Sequence, residues 1–209
     1  MSPHGPGFSG ALHSHDAEYP DDNWNLYALI NREDVKCLNA THPQDALGVF
    51  CPFVHRLNEA HNVASNCDEE LIITIHFLSP CSIRKVMFIG GGESSQHPRT
   101  IKAYANKDNV DFTNIGDLTP SQVFDNLTVN NSGTVEQVTT LHQFTNLSCL
   151  TFYVTRNHGH PCTILRYIGM QGEHTHYRRE AVNAEYEVVC NGQDVEAHSD
   201  KRVAQNFGV

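Results

Sequence analysis

The feature that most constrains this chain is a hydrophobic period of two that recurs along most of its length. Over 69–77, Leu71, Ile73, Ile75 and Phe77 fall on one side of an extended backbone, and Ile72, Thr74 and His76 on the other. Over 149–155, Leu150, Phe152 and Val154 alternate with Cys149, Thr151, Tyr153 and Thr155. The run 163–170 sets Ile164, Ile168 and Met170 opposite Leu165 and Tyr167. Residues 83–89 are apolar on both faces, as in a central strand. Successive side chains of a strand point to opposite faces, so this period predicts strands and not helices. Weaker strand patterns lie near 100–105, 121–129, 134–140 and 182–189. Turn-forming residues separate them at Gly90-Gly91-Gly92, 106–109, 130–133 and 157–161. A short helix is expected after Asn31, where Asp34 stands as the reciprocal acid of an N-cap and Val35 and Leu38 share a helical face. The prediction is an all-β chain of eight or nine strands with at most one or two short helices. Two packed sheets in a jelly-roll sandwich bury both apolar sets most economically.

A chain of 209 residues is the size of one large domain. Residues 1–23 hold four Gly or Pro among the first seven and little to bury, so they read as a flexible leader. From Asn191 the sequence turns polar, and 191–209 reads as a tail. No linker or repeat interrupts 24–190, which is expected to form the sandwich.

Lys plus Arg is 14 against 24 Asp plus Glu, a net charge of −10 with His neutral. Such a surface is a poor partner for nucleic acid or anionic lipid, and neither is expected as a main ligand. Fourteen histidines would erase much of that acidity as pH falls below their ordinary value of about 6.5. No apolar h-region precedes Arg32, the first basic residue, and no apolar run approaches the about 20 residues of a membrane span. Neither a secretory signal nor a membrane anchor is expected. Seven cysteines without a C-x-x-C exclude thioredoxin chemistry and ribbon-type zinc sites. They predict free thiols in the cytoplasm or nucleus. The N-x-S/T sequons at Asn39, Asn126, Asn130 and Asn146 are then chance matches.

Catalytic signatures are missing: there is no phosphate-binding G-x-x-x-x-G-K-S/T, no G-x-G-x-x-G and no G-x-S-x-G. His158-Gly159-His160-Pro161-Cys162 offers two imidazoles that a metal could use, but it lies in a Gly/Pro turn without evident further ligands, so a structural or surface role is expected. His174-Thr175-His176 with Glu180 matches the first metal half-motif of cupins. No second half-motif follows, and a loop with exposed histidines and a salt-bridging Glu180 is the simpler reading. Cys149 is expected to be an inert core residue, and Cys162, beside His160, a partly exposed thiol. Asp68-Glu69-Glu70 is read as a solvated strand entry. No catalytic residue, no cofactor and no resident metal are expected.

A set of short pieces in order carries a family resemblance. Leu26-Tyr27 leads to Cys37-Leu38-Asn39, then Gly48-Val49-Phe50 with Pro52. Asp68-Glu69-Glu70-Leu71 enters a strand, and His97-Pro98 precedes Lys102-Ala103-Tyr104. Tyr167-Ile168-Gly169 runs to Gly172-Glu173, and Arg178-Arg179 and Tyr186-Glu187 close the series. From about 24 to about 190 the chain resembles a PITH domain, the C-terminal proteasome-interacting module of thioredoxin-like proteins, which also occurs alone. The resemblance implies a galactose-binding-like jelly roll and a non-catalytic cytosolic or nuclear protein that binds the proteasome regulatory particle; a monomer is expected. It departs from the family pattern at Cys51, in the less acidic stretch Glu93 to Gln96, and at Glu185. Gly169 and Gly172 would suit a tight turn, and Leu71 and Tyr167 a core. The expected contact surfaces are the tail and the loops carrying Glu93, His97, His158, His160, Glu173 and His174, with the net charge favouring a basic partner patch. The alternatives are a small-ligand or carbohydrate-binding sandwich and a cupin-like metalloenzyme using His174, His176 and Glu180.

Overall fold

A computed structural model describes residues 24–174. Its eight strands are β1 (Lys36–Leu38), β2 (Val63–Ala64), β3 (Leu71–Gly90), β4 (Pro98–Ala105), β5 (Gln122–Phe124), β6 (Gln137–Val138), β7 (Leu147–Asn157) and β8 (Ile164–His174). Every pairing is antiparallel.

The long strand β3 organises both layers. Its first half pairs with β1 on one edge and with β7 on the other, Ile73 standing opposite both Cys37 and Phe152. Its second half pairs with β8 and β6. The register with β7 slips between His76 and Cys81, where β3 passes from one layer to the other. A strand that bends or bulges in this way makes the corner between two packed sheets. β4 and β5 extend the first sheet beyond β7, and β2 extends the second beyond β8.

The core lies between the layers. Leu71, Ile73, Ile75, Ile101, Ala103, Leu150, Phe152 and Val154 face Ile83, Val86, Phe88, Leu165, Ile168 and Met170 in one buried cluster. Phe88 joins the layers, meeting Phe152 edge-on at 5.4 Å and Phe124 at 5.6 Å. The outer faces are covered as well. Ile72, Tyr104 and Tyr153 lie under Val110 and Ile115, and Met87, Ile89 and Tyr167 lie under Trp24, Cys51 and Phe53. That covering explains why 83–89 is apolar on both faces.

Three expectations are corrected. The segment after Asn31 is a single 3-10 turn, Arg32–Asp34, with the Asn31 side chain accepting from Glu33 N. Val35 is already extended, and Lys36–Leu38 pairs with Ile72–Thr74 as β1, so sheet pairing overrides the local helical pattern. Among the described residues the helical elements are all 3-10 turns. Leu165 shares the inner core with Ile168 and Met170, because Ile89 pairs with Tyr167 and Gly90 with Leu165, so that Arg166 is bulged out. Gly169 and Gly172 lie within β8 and not in a turn. A Cβ on Gly172 would overlap the Ser82 carbonyl oxygen, and one on Gly169 would press on the Tyr167 ring and Trp24. The strand pattern near 182–189 lies outside the described residues.

The predicted turns are present, with Gly92, Gly133, Gly159, Asn106 and Asn109 holding their left-handed positions, and asparagine makes further turns outside them. Asn39, Asn106, Asn109, Asn126 and Asn146 all hold φ between 51° and 62°, the left-handed region that Asn tolerates best after Gly. Three of the four sequon asparagines belong to this set. The fourth, Asn130, is buried, donating to Phe88 O and accepting from Gly133 N.

Candidate functional site

The loop residues singled out from sequence divide between two regions of the sandwich. His97 is 1% exposed and packs against Gly90 at the end of β3. Its backbone carbonyl accepts from His158 N at 3.2 Å. Burial, then the neighbouring His158 and Arg166 charges, hold the His97 imidazole below its ordinary pKa. Glu93 caps the turn Ser94–Gln96 that leads into His97. These residues therefore gather at the Gly90 end with His158 and His160.

The 157–163 turn there is organised by Asn157. Its side chain donates to His160 O, Cys162 O and Thr163 Oγ1, and accepts from Gly159 N and His160 N. His158 Nε2 lies 3.0 Å from Leu127 O, so it donates, while His160 Nδ1 accepts from Cys162 N at 3.0 Å. The two imidazoles serve different backbone groups. Cys162 Sγ donates to Ser65 O.

Glu173 and His174 stand at the other end of β8. Glu173 pairs in register with Ser82, and Leu165 with Gly90. Eight residues of strand separate them, about 26 Å at a strand's rise of about 3.3 Å per residue. Glu173 accepts from Arg84 Nη2 at 2.7 Å. The stretch 171–180 is expected as a contact loop, but its described part, through His174, is strand β8. His176, Glu180 and the 191–209 tail lie outside the described residues.

A different group of side chains comes together in a cleft of about 440 Å³ beside the first sheet. His76 on β3 and Cys149 on β7 are cross-strand partners. Asp108 sits over them on the turn after β4. That turn is fixed by Asn106, whose backbone N donates to Cys149 O and whose Oδ1 accepts from Ser148 N at 2.8 Å. Asp34 reaches the same imidazole from the 3-10 turn before β1. His76 Nδ1 lies 2.8 Å from Asp34 Oδ2, within ion-pair distance but outside hydrogen-bond alignment, and Nε2 lies 3.5 Å from Asp108 Oδ1. One donor atom each of His76, Asp108 and Cys149 lies within 4.8 Å of the other two.

The Cys-His-Asp set does not make an activated nucleophile. Cys149 is 1% exposed, and burial together with the Asp108 carboxylate pushes its thiol up to about 12. The bond from that thiol in turn holds Asp108 below the usual carboxylate range. A reactive thiol needs the opposite environment. Sequence reasoning reads Cys149 as core, His76 as one face of a strand and Asp34 as a capping acid, with no account of Asp108. Their union depends on the β3–β7 register and on two turns, and no local spacing encodes it.

The comparisons with known proteins agree with this architecture. A family model described as the PITH domain matches residues 16–189. PITH domain-containing protein 1 of Mus musculus is 30% identical over 200 residues, covering 93% of each chain. The protein of that name from Dictyostelium discoideum is 34% identical over 184 residues, covering 87% of this chain and 89% of its own. Among solved structures, the CBM32-1 and CBM32-2 domains of Clostridium perfringens ZmpB in complex with GalNAc superpose with a TM-score of 0.50 at 11% identity. That match covers 70% of this chain and 35% of the other, and it supports a galactose-binding-like β-sandwich fold. The ordered motifs, the two-layer sandwich and a family match running through the whole described core place this chain in the PITH domain family.

Proposed function

We propose that this chain is a non-catalytic interaction module that associates with the proteasome regulatory particle, acting as a monomer in the cytoplasm or nucleus. The observation that carries the reading is the PITH match over residues 16–189, because a PITH domain is the proteasome-interacting module of the thioredoxin-like proteins. The domain would span 24–190, between a leader at 1–23 and a tail at 191–209. The contact would use loops displayed by a rigid scaffold, with rim charges guiding encounter. The Gly90 end, carrying Glu93, His158 and His160, is one candidate surface, and the Glu173–His174 end of β8 with the tail is the other. A net charge of −10 favours a basic patch on the partner.

Other features fit this setting. Six cysteines among the described residues are free thiols, as a reducing compartment requires. No helix among the described residues is long and apolar enough to cross a membrane. The carbohydrate alternative has less support. Sugar sites commonly stack an aromatic on the ring, and Trp24 is 5% exposed with its face against Phe53 at 6.1 Å.

The test is a pull-down from cell lysate with full-length bait shown to be folded by its β-type circular dichroism, read by mass spectrometry. Enrichment of regulatory-particle subunits over a tag control is expected. Truncation of 191–209 then reports the contribution of the tail. A folded bait that recovers no such subunits refutes the proposal.

A further inference from the structure

We propose that His76, Asp108 and Cys149 form a binding site for a divalent cation of the zinc class, with Asp34 positioning the imidazole. Each residue supplies a different donor: an imidazole nitrogen, a carboxylate oxygen and a sulfur. That borderline-soft mixture suits zinc or cobalt and suits magnesium or calcium poorly.

Geometry supports the assignment. Zinc lies about 2.0–2.3 Å from such donors, so tetrahedral ligands stand about 3.3–3.7 Å apart. His76 Nε2 and Asp108 Oδ1 already stand at 3.5 Å, and the whole set lies within 4.8 Å. Closing the remainder takes a shift of about 1 Å. Asp108, its side chain 71% exposed on a turn, is free to follow a cation held between His76 and Cys149.

The surroundings are those of a metal site. Asp34 faces Nδ1, the nitrogen a cation at Nε2 would leave free, where a carboxylate fixes ring orientation and raises ligand basicity. Lys36, 3.4 Å from Asp34, balances part of the added negative charge. His76 and Asp108 line an open cleft with Cys149 buried behind them, so a fourth position on the cleft side is left for water. On binding, the Cys149 thiol gives its proton to solvent and the sulfur coordinates as thiolate.

The experiment is a cobalt(II) titration of the full-length protein, free of a polyhistidine tag and kept reduced with a phosphine. The readout is the thiolate-to-cobalt charge-transfer absorption, with zinc added afterwards as competitor. One equivalent of cobalt with that absorption is expected, displaced by zinc. The absorption should vanish in Cys149→Ser and persist in Cys67→Ser, Cys162→Ser and Cys190→Ser. Asp34→Asn should weaken binding by about tenfold or more, as loss of an orienting partner does, and Asp108→Asn and His76→Gln by more than that. Asp108→Asn alters an exposed side chain and tests the site even if Cys149→Ser fails to fold. Folded wild-type protein without a stoichiometric band overturns the assignment. So does Asp108→Asn binding like wild type, or a band lost on replacing Cys67, Cys162 or Cys190.

Discussion

Gly90 and His97 occupy one packing site. The imidazole lies so close over the glycine that a Cβ on Gly90 would stand 2.7 Å from His97 Cδ2 and nearer still to Cγ and Nδ1. Gly90→Ala should therefore destabilise the fold by about 1–3 kcal/mol, the range for overpacking a rigid core. Gly116, where a Cβ would meet nothing within 4 Å, is the control and should show much less change on Gly116→Ala. Urea unfolding at constant m-value measures both.

His97 also predicts how stability responds to acid. Its imidazole titrates below the ordinary value near 6.5 in the folded chain, through burial and then the His158 and Arg166 charges. The unfolded chain then takes up the proton first. The stability contribution is fully present above pH of about 6.5 and is lost as pH falls from there toward the folded value. Unfolding free energies measured from pH 7.5 down to 5 should decline, and His97→Gln should flatten part of that slope. An unchanged slope in the variant would exclude His97 as its source.

Thr74 and Thr151 face each other across β3 and β7, their hydroxyls 2.9 Å apart and buried. Replacing either one with Val strands its partner, at a cost of about 1–3 kcal/mol. The double replacement removes both hydroxyls at nearly constant shape and should be less destabilising than the two single changes added together. Simple additivity would show that the pair is not coupled.

Asn130 ties the 130–133 turn to β3 by donating to Phe88 O, and closes the turn by accepting from Gly133 N. Asn130→Ala should lower stability by about 1–3 kcal/mol, because buried backbone groups lose their partner. Thermal unfolding would reveal it, and a neutral result would mean that the turn repacks.

Much of this fold is legible in the sequence, for a physical reason. The first half of β3 and β7 bury one full face between the sheets, which writes a period of two into 71–77 and 150–154, while 83–89, covered on both sides, is apolar on both faces. The turns are legible because left-handed backbone selects Asn and Gly. What the sequence conceals is long-range. β1 and β2 are only three and two residues long, too short for a period to register, and β1 exists because Ile72–Thr74 offers it a partner. The Arg166 bulge moves Leu165 to the inner face without a local cue. The His76–Asp108–Cys149 group stayed hidden for a similar reason. Its members lie 32 and 41 residues apart in order along the chain and meet only through sheet register.

The central claim is association with the proteasome regulatory particle, and direct binding to purified particle tests it most closely. Fluorescently labelled full-length chain, mixed with isolated regulatory particle, should migrate with it on native gels and sediment with it in a saturable manner, and excess unlabelled chain should displace it. A folded chain that remains at its free position at every particle concentration, while a known particle-binding protein shifts in the same experiment, would contradict the account.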